Sequence, residues 1–297
     1  METRHLRSFV ALAEERHFGR AAARLHIAQP ALSQQLQQLE REVGTRLVDR
    51  STRRVDLTDA GRLLQQRALE VLATLERTAA DLALVGAGRA GTVRIGFVGT
   101  ATYDVLPQVA RRVRADLPDL VLELSGELLA PALLDAVHEG GLDLAVLRPG
   151  AGEVPPGLVV EQLRTEPLVA VLPSTHPSAG AAEVALAALA GETLVTHPSG
   201  RRSTMQPLVL DAWRAAGHDP ANLQLLEVGE TGTLVVFVAA GLGIGLVPAS
   251  VRALRLDGVA YVPLADPVPP VPLAMAHRVD AGPAVTRVAD LVRDLAR

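Results

Sequence analysis

The side chains in this sequence best suited to chemistry form a polar stripe between positions 29 and 41. Gln29, Pro30, Ser33, Gln34, Gln37, Gln38 and Arg41 share one helical face, while Leu32, Leu36, Leu39 and Val43 recur at +4, +3 and +4 on the other. Each glutamine carries a donor and an acceptor on one planar group, the pair that adenine N6 and N7 require in the major groove, and serine serves either role. A solvated face is the competing explanation, although it would favour Glu and Lys over a glutamine-rich row. The flanks decide between them. Ala21-Ala22-Ala23 allows close helix crossing, His26-Ile27-Ala28 makes a short turn with Ile27 to plug the angle, and Pro30 sits where its missing N–H costs nothing. Downstream, Arg46, Arg50, Arg53 and Arg54 lie in two short extended runs around a polar turn. That pattern predicts a β-hairpin wing with Arg53 and Arg54 set for phosphate or the minor groove. Without its neighbour it would be only a solvated basic loop.

A second group of residues has anion-binding character. The apolar run 93–98 leads into Gly99-Thr100-Ala101-Thr102 and then a helical pattern through Arg114. A hydroxyl-bearing loop at a helix start offers free N–H groups and a positive dipole end, which favours a carboxylate at Thr100 and Thr102. Ordinary capping explains either threonine taken singly. Arg148 follows the run 142–147 and has the geometry for a bidentate carboxylate pair. His197 and Ser199 after 193–196, with Glu230 and Thr231 before a helix beginning near Gly232, are expected on the opposite wall.

The elements that must position these groups fall into distinct stretches. Residues 1–57 are helical and poor in glycine, and 58–86 form one unbroken helical pattern ending at Gly86-Ala87-Gly88. Thr58 is a good N-cap with Asp59 behind it. Leu64, Ala68, Val71, Leu75, Thr78, Leu82 and Val85 then alternate at +4 and +3, a coiled-coil seam that predicts a homodimer. Packing of the helix on its own domain is the alternative. From residue 92, short β-branched runs (92–98, 121–124, 142–147, 168–172, 193–196, 223–228, 244–247, 259–262 and 271–276) alternate with helical patterns, which predicts α/β structure with mostly parallel strands. The proline-rich stretch 265–272 is a candidate crossover between subdomains.

Composition narrows the function classes. The chain has 297 residues, 48% of them hydrophobic, enough for more than one compact unit. It has no cysteine, which removes disulfides, thiol catalysis and cysteine-ligated zinc. The net charge of -4 is unevenly spread: residues 1–60 carry ten arginines against eight acids, a basic head on an acidic body. There is no signal-peptide core, and the longest apolar run, 233–247, is short and broken by glycines. A cytoplasmic, non-membrane protein is expected. Neither Gly96-Phe97-Val98-Gly99-Thr100-Ala101 nor Gly241-Leu242-Gly243-Ile244-Gly245 is a dinucleotide fingerprint, no nucleophile elbow or phosphate loop occurs, and the eight histidines lack metal-ligand spacing. No enzyme, cofactor or metal is expected. The alternative is a cytoplasmic solute-binding or enzymatic α/β protein with a helical N-terminal interaction domain.

The head resembles the LysR-type transcriptional regulators. The resemblance is carried by Leu6-Arg7-Ser8-Phe9-Val10-Ala11-Leu12-Ala13, Phe18-Gly19-Arg20-Ala21-Ala22, Leu25-His26-Ile27-Ala28-Gln29-Pro30-Ala31-Leu32-Ser33, Leu39-Glu40 and Leu57-Thr58-Asp59-Ala60-Gly61. It implies an α+β multidomain fold: a winged helix-turn-helix (1–58), a dimerising linker helix (59–88), and a two-lobed effector domain similar to type 2 periplasmic binding proteins (89–297). Lobe 1 is expected at about 91–161 and 267–297, and lobe 2 at about 162–266. DNA contacts then fall on Gln29, Pro30, Ser33, Gln34, Gln37 and the wing arginines Arg50, Arg53 and Arg54. Position 34 is often arginine in the family, so Gln34 alters the base preference there. Effector contacts fall on Gly99, Thr100, Ala101, Thr102, Arg148, His197, Ser199, Glu230 and Thr231. His17-Phe18-Gly19-Arg20 with Leu25-His26 is similar to the branch that controls degradation of aromatic compounds, which implies an aromatic carboxylate effector. That branch often has a hydroxyl residue where Glu127-Leu128-Leu129-Ala130 stand here, and this departure implies fewer polar contacts and a more apolar effector, or none. The resemblance further implies promoter DNA as partner, dimers paired into a homotetramer that bends it, effector-driven cleft closure, and RNA polymerase as a further partner.

Overall fold

The computed structural model describes residues 1–50, 55–150, 154–198 and 203–296. Its first three helices are cut by the chemistry of their ends. α1 (Thr3–Glu15) stops at Arg16 in the left-handed conformation, and α2 (Phe18–Arg24) is capped by His17, whose Nδ1 accepts from the Gly19 and Arg20 N–H groups. α3 (Gln29–Val43) starts with Pro30 in its first turn and ends at Gly44, φ 73°, a conformation glycine adopts without steric cost. Phe9, Leu12, Ala21, Leu32, Leu36 and Leu39 form the core between them, closed by Leu47, Val48 and Val55. Val43, expected on that stripe, is 37% exposed because the helix ends there, past the edge of the core.

β1 (Val48–Arg50) and β2 (Val55–Leu57) pair antiparallel, with Val48 opposite Leu57. α4 (Asp59–Gly86) follows directly. The Thr58 hydroxyl accepts the Gly61 N–H at 3.0 Å and donates to the Arg46 carbonyl at 2.8 Å, so one side chain caps α4 and ties it to the wing. A Cβ on Gly61 would lie 2.1 Å from the Leu47 carbonyl oxygen, so only glycine allows this approach. The expected seam is divided. Leu64 and Ala68 pack with Leu72 on Leu6 and Val10 of α1, whereas Leu75 and Leu82 stand 43% and 66% exposed.

The chain divides into two compact units, Met1–Ala83 and Leu84–Arg297. The second contains β3 (Ala90–Val98), α5 (Gly99–Thr102), α6 (Val105–Asp116), β4 (Asp119–Leu128), α7 (Ala130–His138), β5 (Leu144–Leu147), β6 (Leu158–Glu166), β7 (Leu168–Pro173), β8 (Thr193–Thr196), α8 (Met205–Ala215), β9 (Gln224–Glu227), α9 (Thr231–Ala239), β10 (Ile244–Pro248), β11 (Val259–Pro263), β12 (Val271–Arg278) and α10 (Pro283–Leu295). One lobe is built on the sheet β4-β3-β5-β12-β6, the other on β11-β7-β10-β8-β9. Neither is mostly parallel. In each, two neighbouring pairs are parallel and two antiparallel. β12 is one antiparallel strand because it re-enters the first sheet from the second lobe. β6, absent from the expected strands, keeps the first lobe going to Glu166, so the crossover falls at Pro167 rather than near residue 161. The return passes between β11 and β12, within the proline-rich stretch. Among the described residues no helix is long and apolar enough to cross a membrane.

Candidate functional site

On α3, Leu32, Leu36 and Leu39 face the core, which turns Gln29, Pro30, Gln34, Gln37 and Arg41 outward and leaves Ser33 half-buried. Gln38 is committed within the helix, donating to Glu42 at 2.9 Å and accepting from Arg41 at 2.7 Å. Gln29, Ser33, Gln34 and Gln37 make no side-chain hydrogen bond to another described residue, and the three glutamines are exposed. The Glu40 carboxylate accepts the Leu47 N–H at 2.8 Å and the Val48 N–H at 3.4 Å, fixing β1 to α3. Arg50 closes that strand. Arg53 and Arg54 lie outside the described residues.

Within the second unit, the ends of β3, β4 and β5 face the starts of α8 and α9 across a narrow cleft. It is lined by Gly99, Glu127, Leu128, His197, Met205 and Thr231 among others, and holds only about 10 Å³ of free space, one water at most. Thr100 and Arg148 lie under the first wall and are fully buried. Arg148 Nε donates to the Thr100 hydroxyl at 2.9 Å, Nη1 to the Pro272 carbonyl at 3.1 Å, and Nη2 lies 3.2 Å from Glu166 Oε2. Burial pushes the Arg148 guanidinium down, and the Glu166 charge opposes it. Burial pushes the Glu166 carboxyl up, but Arg148, the Ser250 N–H and Arg164 outweigh that and hold it below the usual carboxylate range. Arg164 also pairs with Asp104 at 2.6 Å. On the second wall, His197 Nε2 lies 3.1 Å from the Thr231 hydroxyl, and burial pushes its pKa down to about 4, so the ring is neutral at pH 7.

Glu127 joins the walls. It stands near the end of β4 at φ 56°, a left-handed conformation that costs a non-glycine residue about 1–2 kcal/mol. Its own N–H donates to Thr102 Oγ1 at 3.1 Å, and its Oε2 accepts the Thr231 N–H, at the first residue of α9, at 2.9 Å. Its Oε1 accepts the Tyr103 hydroxyl. Burial, together with this carboxylate, pushes the Tyr103 phenol far up, so it stays a donor. Three further bonds cross between lobes: Thr204 Oγ1 donates to the Arg148 carbonyl at 2.7 Å, Ser250 Oγ to the Thr100 carbonyl at 3.3 Å, and the Ser250 N–H to Glu166 Oε2 at 3.2 Å.

Residues 3–62 match the family model for the bacterial regulatory helix-turn-helix protein of the lysR family, and residues 86–297 match the LysR substrate binding domain. This chain belongs to the LysR family of transcriptional regulators. It is 38% identical over 271 residues to an uncharacterized HTH-type transcriptional regulator, YnfL, of Escherichia coli, covering 90% of this chain and 88% of the relative. It is 36% identical to the probable cat1 operon transcriptional activator of Acinetobacter lwoffii, over 99% of this chain and 96% of that one. Full-length CbnR solved with its target DNA superposes with a TM-score of 0.84 at 26% identity, covering 100% of both chains. The protein is a DNA-binding regulator with an effector-binding domain, and not an enzyme.

Set on this LysR-family frame, the effector residues expected from the sequence separate into three groups. Gly99, Thr102, His197 and Thr231 meet at the cleft, with Thr100 and Arg148 beneath it. Ala101 points into the core of the first lobe, and Glu230 is exposed, its carboxylate accepting from Thr233 at 3.3 Å. Ser199 lies outside the described residues. Thr231, rather than Gly232, opens α9. Tyr103, Glu166, Thr204 and Ser250 were not among the expected residues. The segment at Glu127 was expected to lower the polarity of the site, yet it places a carboxylate in the cleft. The signal available was a charged residue at the end of a strand whose neighbours are apolar.

Proposed function

We propose that Gln29, Pro30, Ser33, Gln34 and Gln37 read base edges of promoter DNA in the major groove, with Arg50, Arg53 and Arg54 on the flanking backbone or minor groove. The observation that supports this most is that the exposed Gln29, Gln34 and Gln37 carry no side-chain hydrogen bond to another described residue, on a helix whose other face is core. The exposed apolar stretch of α4 from Val71 to Val85 supports pairing with a second copy, which sets two reading helices about 34 Å apart on a dyad-symmetric site. The cleft between the lobes is the effector site, and its ligand is a carboxylate-bearing small molecule that shifts the DNA-bound state. One relative is a probable cat1 operon transcriptional activator, and an aromatic acid is the effector class this reading favours here. The protein works in the cytoplasm. A gel-shift titration of the full-length protein on its own upstream region, at several salt concentrations, tests the DNA reading. One footprint with a steep salt slope is expected. Equal affinity for unrelated fragments would overturn it.

A further inference from the structure

We propose that Glu127 is a tethered ligand of the inter-lobe cleft, whose carboxylate occupies the place a free carboxylate would take and holds the lobes together without one. This rests on the cleft being the effector site. Glu127 belongs to the first lobe, but its Oε2 accepts the Thr231 N–H at the start of α9 in the second, where unpaired amides and the helix dipole favour an anion. Its Oε1 takes the Tyr103 hydroxyl, so both oxygens are engaged.

The walls are shaped around this group. A Cβ on Gly99 would lie 2.5 Å from Glu127 Oε2, and one on Gly232 would lie 2.6 Å from the Tyr103 hydroxyl oxygen. Both glycines are thus needed for the carboxylate and its phenol partner to fit. The remaining space admits no second anion. Among the described residues the nearby cations are already committed, since Arg148 faces Glu166, and Arg164 is shared between Glu166 and Asp104. A free carboxylate therefore has to evict Glu127 to enter. Glu127 sets effector specificity: a small acid that only reproduces its two contacts gains nothing by the exchange, and a competent effector must bring contacts of its own.

The test is thermal melting of the full-length protein with sodium propionate against sodium chloride at equal ionic strength. Wild type is expected to melt alike in both salts. Glu127→Ala is expected to melt about 3–10 °C lower in chloride and to regain part of that loss in propionate. Propionate stabilising wild type as much as the variant would overturn the proposal, as would a Glu127→Ala protein that melts like wild type in chloride. If Glu127→Ala does not accumulate, Glu127→Gln carries the test, because it keeps the shape and loses the charge. A lower midpoint supports the tether, and an unchanged midpoint refutes it. No DNA is involved, so failure of promoter binding would leave this result standing.

Discussion

Acidification should weaken the second lobe through His197. The ring is buried on the lobe's cleft wall with one polar contact among the described residues, Thr231, and burial pushes its pKa from the ordinary 6.5 to about 4. Between these values the native ring stays neutral while the unfolded chain binds a proton. The unfolded state then holds more protons, so stability is fully present above about pH 6.5 and is lost as the pH falls toward 4. A difference of about 2.5 units at about 1.4 kcal/mol each gives about 3 kcal/mol, most of it lost by pH 4.5. The chain's one tryptophan, Trp213, sits in the core of the same lobe and reports its unfolding. Urea titrations followed by Trp213 fluorescence at pH 7.5, 6.0 and 4.5 should compare wild type with His197→Gln, whose side chain does not titrate. Surface carboxylates titrate in both proteins and cancel in the difference. His218, edge-on to Trp213, is present in both proteins, so the comparison between them is made in one environment of the probe. Wild type should lose about 2–3 kcal/mol more than the variant on going from pH 7.5 to 4.5. Parallel stability curves would refute the reasoning.

Three further outcomes follow from the head. Gln34→Ala should cost about 1–3 kcal/mol on a cognate site, concentrated at one base position, and equal losses on every sequence in a binding-site selection would contradict base reading. Gly61→Ala should destabilise the first unit by about 1–3 kcal/mol, because a methyl 2.1 Å from the Leu47 carbonyl pushes α4 off the wing; an unchanged melting profile would show the contact is soft. Leu75→Arg, at an exposed seam position, should shift sedimentation toward monomer while leaving far-UV circular dichroism intact, whereas Ala68→Arg should unfold the head because Ala68 is buried against α1.

The legible parts of this chain are those whose determinants are local. Pro30 in a first turn, three leucines at helical spacing and the cap at Thr58 each act within a few residues, so α3, β1, β2 and the start of α4 could be read from the sequence. The division of the α4 seam could not. Leu64 and Ala68 look like seam residues until α1 brings Leu6 and Val10 against them. β6 was missed for a related reason. It is a sheet-edge strand in which Glu161, Gln162 and Arg164 interrupt the apolar alternation, and its pairing comes from β12, more than a hundred residues later. In the cleft, residue types pointed to anion chemistry at Thr100 and Arg148, and in the structure Arg148 faces the carboxylate of Glu166. Sequence spacing says nothing about Glu166 lying against Arg148, or about Glu127 reaching α9.

That internal pairing yields an asymmetry between two substitutions at one ion pair. A buried pair broken from one side usually costs 3–5 kcal/mol, because the remaining charge is left without a counterion. Glu166→Gln does this fully. Arg148 is completely buried, its other partners are the Thr100 hydroxyl and two backbone carbonyls, and no second carboxylate is bonded to it among the described residues. Arg148→Met leaves a different situation. Glu166 keeps Arg164 at 2.9 Å and the Ser250 N–H at 3.2 Å, so its charge remains compensated, and methionine refills most of the vacated volume. Glu166→Gln should therefore cost about 3–5 kcal/mol, and Arg148→Met clearly less, in urea titrations followed by far-UV circular dichroism. Equal costs, or the reverse order, would mean that Arg164 does not hold Glu166 on its own. Arg148 would then be the group that organises the floor of the cleft.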